Sequence, residues 1–148
     1  MKPVLLVVAF SLACLSIAQH AGEATRQLIG TWKYDVSSMK LELNAKGKAS
    51  MRDPKAKESM AGMEKQLASS LKTMTLAFKS NRSVVISSGG KTVGSGTWTL
   101  HGRDVNVVMT NARQATPRMT LAKDGKTIHT VYSDPNFGEG KIDLVKKS

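Results

Sequence analysis

Alternation of apolar and polar residues, carried through short segments between turn formers, is the strongest constraint on what this chain can become. Trp32, Tyr34 and Val36 alternate with Thr31, Lys33 and Asp35, and Met39, Leu41 and Leu43 alternate with Lys40, Glu42 and Asn44. A period of two puts every second side chain on one face, so each segment is a strand with one face to bury. The pattern resumes at Met74, Leu76 and Phe78, at Val84 and Ile86, over 92–100, and at Val105, Val107 and Met109. Met119 with Leu121, residues 127–132, and Ile142 with Leu144 complete it. Turn formers punctuate the series at 44–47, 80–82, 88–90, 101–104, 111–117, 124–125 and 133–140. Residues 48–52 read as a short third strand returning from the first of these turns. About eight to ten short strands joined by hairpins predict a mainly β fold: an antiparallel up-and-down β-barrel, with a sandwich as the other closure. Gly94 and Gly96 interrupt one strand before Trp98, which marks a bend, a bulge or a close backbone approach.

One stretch has a different period. Asp53 then Pro54 is a helix start, an N-cap oxygen followed by a residue whose missing N–H costs nothing there. Met60, Met63, Leu67, Leu71 and Met74 follow on one helical stripe. The expectation is one inserted amphipathic helix over Pro54–Lys72, its Met-rich face packed on the sheet. A ligand or partner face is the second use of such a stripe, because methionine is adaptable.

The first residues are a different kind of object. Met1-Lys2-Pro3 leads into an apolar run over 4–15, and Ser16 and Ala18 stand as small residues before polar Gln19 and His20. A positive start, an apolar stretch of about 7–15 residues and a small-residue exit define a secretory signal. Residues 1–18 are therefore expected to be cleaved, and 19–27 to form a flexible N-terminal arm before a domain over 28–148. A transmembrane span needs about 20 apolar residues, more than this run supplies. The expected location is outside the cytoplasm, periplasmic or secreted. Lipoprotein anchoring through Cys14 is the lesser alternative, since Ser11 fits poorly three residues before it. With Cys14 gone, the mature chain has no thiol for a disulfide, a metal or a nucleophile.

Charge narrows the partners. The chain holds 22 Lys and Arg against 11 Asp and Glu, and losing the leader removes only Lys2, which leaves 21 against 11, or +10. Such a protein is drawn to anionic envelope surfaces. The basic residues are scattered, densest over 46–57, and aromatics are 5% of the chain. Nucleic-acid binders usually interleave aromatics with basic residues, so no nucleic acid is expected. The three histidines, His20, His101 and His129, have no metal-ligand spacing, and neither a nucleophile elbow nor a phosphate loop leading into a helix is present. The expectations are no catalytic residues, no cofactor, no metal and a monomer. Asn81-Arg82-Ser83 fits a glycosylation acceptor in a turn.

Leu28-Ile29-Gly30-Thr31-Trp32-Lys33 resembles the opening of the calycins, the lipocalins and the fatty-acid-binding proteins, whose first strand carries a Gly-x-Trp. The layout looks more closely like small bacterial lipocalin-like domains: a first Gly-Thr-Trp, a Met-rich helix, a strand like 74–78, and a second Gly-Thr-Trp at 96–98. The resemblance spans roughly 28–145. It implies a β-barrel, with Gly30, Trp32, Gly96 and Trp98 as a structural plug. The Arg-x-Tyr pair that holds a carboxylate in fatty-acid-binding proteins is missing, because Thr130 precedes Tyr132. Three functions stay open: a binding protein for a small hydrophobic or amphipathic ligand, an envelope-docking or inhibitor protein with a basic surface, and a hydrolase with an unrecognised site. For the first, the candidate lining residues are Tyr34, Met74, Leu76, Phe78, Val107 and Met109.

Overall fold

The alternating segments fold as eight antiparallel strands that close on themselves in chain order. They are β1 (Gly30–Leu43), β2 (Met74–Phe78), β3 (Ser83–Ser88), β4 (Lys91–His101), β5 (Asp104–Met109), β6 (Arg118–Leu121), β7 (Thr127–Asp134) and β8 (Gly138–Lys146). The structure is a computed structural model and describes residues 22–111 and 116–148. The expected leader, with Cys14 and His20, lies outside the described residues. Closure comes from β1 against β8, which pairs Trp32 with Lys146 and Tyr34 with Leu144.

The two segments expected at 31–36 and 39–43 are one strand with a wide bulge. Asp35 pairs with Asp143 and Lys40 with Lys141, so four residues of β1 stand opposite Ile142. Side chains carry the ladder across the gap. The Ser38 hydroxyl accepts from the Asp143 N–H at 2.8 Å, and the Asp35 carboxylate accepts from the Ser37 N–H at 3.1 Å. On β4, Ile86 faces Gly94 and Ser87 faces Thr92, which leaves Val93 as the extra residue of a bulge.

Among the described residues three helices accompany the barrel, not one. Residues 22–28 form α1, where a flexible arm was expected up to residue 27. Ala24 and Leu28, four residues apart on one helical face, are both buried. A seven-residue segment is too short to display that period against a polar background, which is why it reads as an arm. The expected turn at 44–47 and most of the expected third strand at 48–52 are instead α2 (Ala45–Ser50), with 51–52 in a turn after it. Asn44 is its N-cap, accepting from the Gly47 N–H at 2.8 Å, and the same Asn and Gly that read as a hairpin turn here start a helix. Helix α3 (Pro54–Lys72) is the expected one, and Asp53 caps it by accepting from the Lys55 N–H at 3.0 Å.

The expected packing of the α3 stripe does not occur. No residue of α3 is buried, and Met63 and Leu67 are 67% and 52% exposed. Met74, the last of the stripe, is the first residue of β2. A closed barrel fills its interior with its own alternate side chains and offers no second inner face for a helix. Helix α3 therefore rests on the outside, touching β1, with Leu71 half-buried against the core. Among the described residues no helix is long and apolar enough to cross a membrane.

Candidate functional site

The strands run between two unlike ends. At one, β1 begins, α1 covers the opening, and the short turns after β2, β4 and β6 gather. Here the interior is solid: Leu28, Trp32, Phe78, Trp98, Leu121, Ile128 and Leu144 are each at most 1% exposed. The two Gly-Thr-Trp tryptophans are held alike. The Trp32 indole N–H donates to the Leu28 carbonyl at 2.8 Å and the Trp98 N–H to the Lys79 carbonyl at 3.1 Å. A cation lies over each ring: Lys146 at 5.5 Å over Trp32 and Arg82 at 4.4 Å over Trp98. Gly30 has φ +138°, open to glycine alone, and Gly96 lies under the Val108 carbonyl and the Met109 Cα.

At the other end β1 runs out into α2 and α3, and the 89–90 and 135–137 turns surround the opening. Asn44 ties the helical segment down at its start, donating from its N–H to the Phe137 carbonyl at 2.9 Å and from Nδ2 to the Pro135 carbonyl at 3.1 Å. Thr73 holds its far end, with its carbonyl accepting from the Gly89 N–H at 3.1 Å. Fewer side chains are fully buried here. Met74, Ile86 and Met109 are only partly buried, although Ile29 and Leu100 at the packed end are also only partly buried.

The six candidate lining residues thus fall into two groups. Leu76, Phe78 and Val107 sit in the packed interior, and Phe78 meets Trp98 edge-on with ring centroids 6.1 Å apart. Tyr34, Met74 and Met109 lie toward the helical end. Beside them are two residues that the alternation did not single out, Thr130 and Tyr132. The Tyr34 and Tyr132 hydroxyls are 3.2 Å apart and share one hydrogen bond. The Thr130 hydroxyl is fully buried and has no hydrogen-bond partner among the described residues. Among the described residues Thr130 is the one polar side chain in a core that is otherwise apolar or aromatic. Its signal was faint because apolar Val131 next to it blurs the alternation of Ile128, Thr130 and Tyr132.

Burial governs the electrostatics of this cluster. It pushes the Tyr34 phenol well above its ordinary value, and the neighbouring Tyr132 and their shared hydrogen bond add to the rise. Burial also raises Tyr132, partly offset by the bond to Tyr34. Both phenols are neutral donors at physiological pH. At the other end Lys146 donates to the Gln27 carbonyl at 2.6 Å, and desolvation lowers its pKa.

A concavity of about 680 Å³ lies on the outer wall where β5 and β6 share only two register pairs. Asp104, Thr120 and His129 line it in register across the sheet, and the same row continues beyond it to Asp143 and Asp35. His129 Nδ1 is 2.8 Å from the Asp143 carboxylate, and Thr120 donates to Asp104 at 3.1 Å. Arg118 pairs with Glu139 at 2.9 Å and Lys141 with Glu42 at 2.7 Å. These are exposed, mutually compensated pairs of the kind that decorate a solvated sheet.

No family model matches this sequence, and no curated protein matches it. Among solved structures, the chain is similar to a DUF4847 family protein from Bacteroides vulgatus. That likeness has a TM-score of 0.47 and 17% identity, over 82% of this chain and 96% of that one.

Proposed function

We propose that this is an exported, lipocalin-like binding protein whose barrel takes a small, neutral, amphipathic ligand at its helical end. The observation that carries this reading is the set of interior hydroxyls. Tyr34, Tyr132 and Thr130 bring three protons, and the one hydrogen bond, between the two tyrosines, uses one of them. Leaving a buried hydroxyl unpaired costs about 1–3 kcal/mol, so an orphan such as Thr130 calls for an occupant. A ligand carrying a hydroxyl, carbonyl or ester group, with an apolar body against Met74, Ile86 and Met109, supplies one. A carboxylate does not suit the site. The hydroxyls are neutral, no basic side chain among the described residues is buried with them, and an unpaired buried charge costs far more than a buried dipole. The missing Arg-x-Tyr pair points the same way.

Native mass spectrometry of the protein recovered from the cells that export it tests this directly. A small adduct that leaves on denaturation is the expected result, on a chain whose mass begins at Gln19. Added long-chain alcohols or monoacylglycerols are expected to raise the melting temperature more than the matching fatty acids. Thr130→Val is expected to stabilise the empty protein by about 1 kcal/mol, because it removes an unpaired hydroxyl. The same change should weaken the alcohol about tenfold, the factor that 1.4 kcal/mol represents. An adduct-free protein whose melting ignores all of these lipids would rule the reading out.

A further inference from the structure

Exposed apolar side chains are distributed unevenly over this barrel. Among the described residues the large ones are Leu41, Met63, Leu67, Val93, Val108, Tyr132 and Phe137. Met63 and Leu67 are on α3, and Phe137 is in the 135–137 turn. Leu41, Val93, Val108 and Tyr132 each lie within three residues of the strand terminus at the helical end. None is at the end that α1 covers. A soluble surface scatters such residues singly, so their confinement to one rim calls for a partner.

The chemistry of that partner is set by what surrounds the rim. The segment 44–73 carries seven basic residues, Lys46, Lys48, Arg52, Lys55, Lys57, Lys65 and Lys72, against Asp53, Glu58 and Glu64. All seven basic residues are exposed, and none is in an ion pair among the described residues. Helix α3 has an outward edge of Met63 and Leu67 with lysines to either side. Apolar tips spread around a rim, with lysines whose stems reach up past them, fit a flat layer that is anionic at its surface and apolar just beneath. A second copy fits badly, because it would bring two such basic segments face to face.

We propose that the helical end of the barrel docks on an anionic lipid surface. Met63 and Leu67 enter the acyl boundary, and the 44–73 lysines meet the headgroups. Docking this way presents the end with fewer fully buried side chains to the membrane. The proposal stands without the ligand reading: of the rim residues only Tyr132 also belongs to the hydroxyl cluster, and none of the variants that test docking touches it.

The test is co-sedimentation of the full chain, its N-terminus read by mass, with phosphatidylcholine vesicles that contain or lack phosphatidylglycerol. Every variant is compared with wild type carrying the same N-terminus. Wild type is expected to bind only the phosphatidylglycerol vesicles. M63E/L67E is expected to cut the partition coefficient at least about tenfold, because two apolar side chains leave the interface. K55E/K57E should weaken binding comparably. K79E/K123E, an equal charge change at the far end, should alter it by less than about threefold at physiological salt, where charges beyond about 8 Å are screened. All these positions are exposed, so melting temperatures should be unchanged and will show that each variant is folded. Four outcomes overturn the proposal: wild type that ignores both vesicles, wild type that binds both equally, M63E/L67E that binds like wild type, and K79E/K123E that weakens as much as K55E/K57E.

Discussion

A Cβ on Gly96 would stand 2.8 Å from the Met109 Cα and closer still to the Val108 carbonyl oxygen, both of them backbone. At Gly30 it would meet Lys146 Cε at 2.9 Å, the far end of a flexible side chain. Gly96→Ala therefore forces two paired strands apart, and a loss of about 1–3 kcal/mol is expected from urea unfolding midpoints. Gly30→Ala is disfavoured chiefly through its φ of +138°. The tyrosines supply a second expectation at this scale. The chain has two tyrosines, both in the interior pair, so absorbance at 295 nm reads that cluster alone. Both phenols are raised in the folded state, so the stability they contribute is complete below their unfolded pKa, about 10, and is lost as pH rises beyond it. Lys146 is lowered and acts in the opposite sense, its penalty easing as pH rises through the same range. The folded protein should form tyrosinate at higher pH than the urea-unfolded chain, and Tyr34→Phe should flatten the alkaline fall in stability. Early tyrosinate absorbance without unfolding would contradict the buried pair. At this scale Tyr34 was legible from alternation. The pairing of its hydroxyl with Tyr132, 98 residues away, was not, because register between strands 1 and 7 is not written locally.

Among the elements, the least secured is α3. It buries no residue and is held by its cap, its two ends and its contact with β1. In hydrogen exchange its amides should open well below the free energy needed to unfold the barrel, as expected of an element with little buried apolar area. Asp53→Ala should cost about 1 kcal/mol of helix stability and speed exchange in α3, while leaving exchange in β4 and β7 unchanged. Helix α1 is its opposite. Leu28 is fully buried over the packed end, and Leu28→Ala should lower global stability by about 2–5 kcal/mol. Sequence period ranked these two helices the wrong way round. It shows amphipathicity, which α3 has over 19 residues, and it cannot show whether a partner surface exists.

For the whole molecule, seven of the eight strand pairings join neighbours in sequence, and the eighth, β1 with β8, joins the two ends of the domain. Closing so long a loop is entropically unfavourable until most of the sheet exists, so this seam should form late. Leu144→Ala in the seam is expected to lose about 2–5 kcal/mol and to show it mainly as faster unfolding. Slower refolding instead would place the seam in the folding nucleus. Hairpin order from β2 onward, the capped helix at Pro54 and the basic balance were all legible in the residues alone, because each depends on local period, turn chemistry or composition. Closure into an up-and-down barrel was legible from hairpin order and from the Gly-Thr-Trp resemblance, not from alternation, which a sandwich satisfies equally. Tertiary structure decided that α1 covers one end, that the Thr130 hydroxyl is buried with no hydrogen-bond partner among the described residues, and that Met63 and Leu67 face outward. Each of these depends on which distant surfaces meet, and a strand or helix carries no record of what lies against its face until the chain has closed.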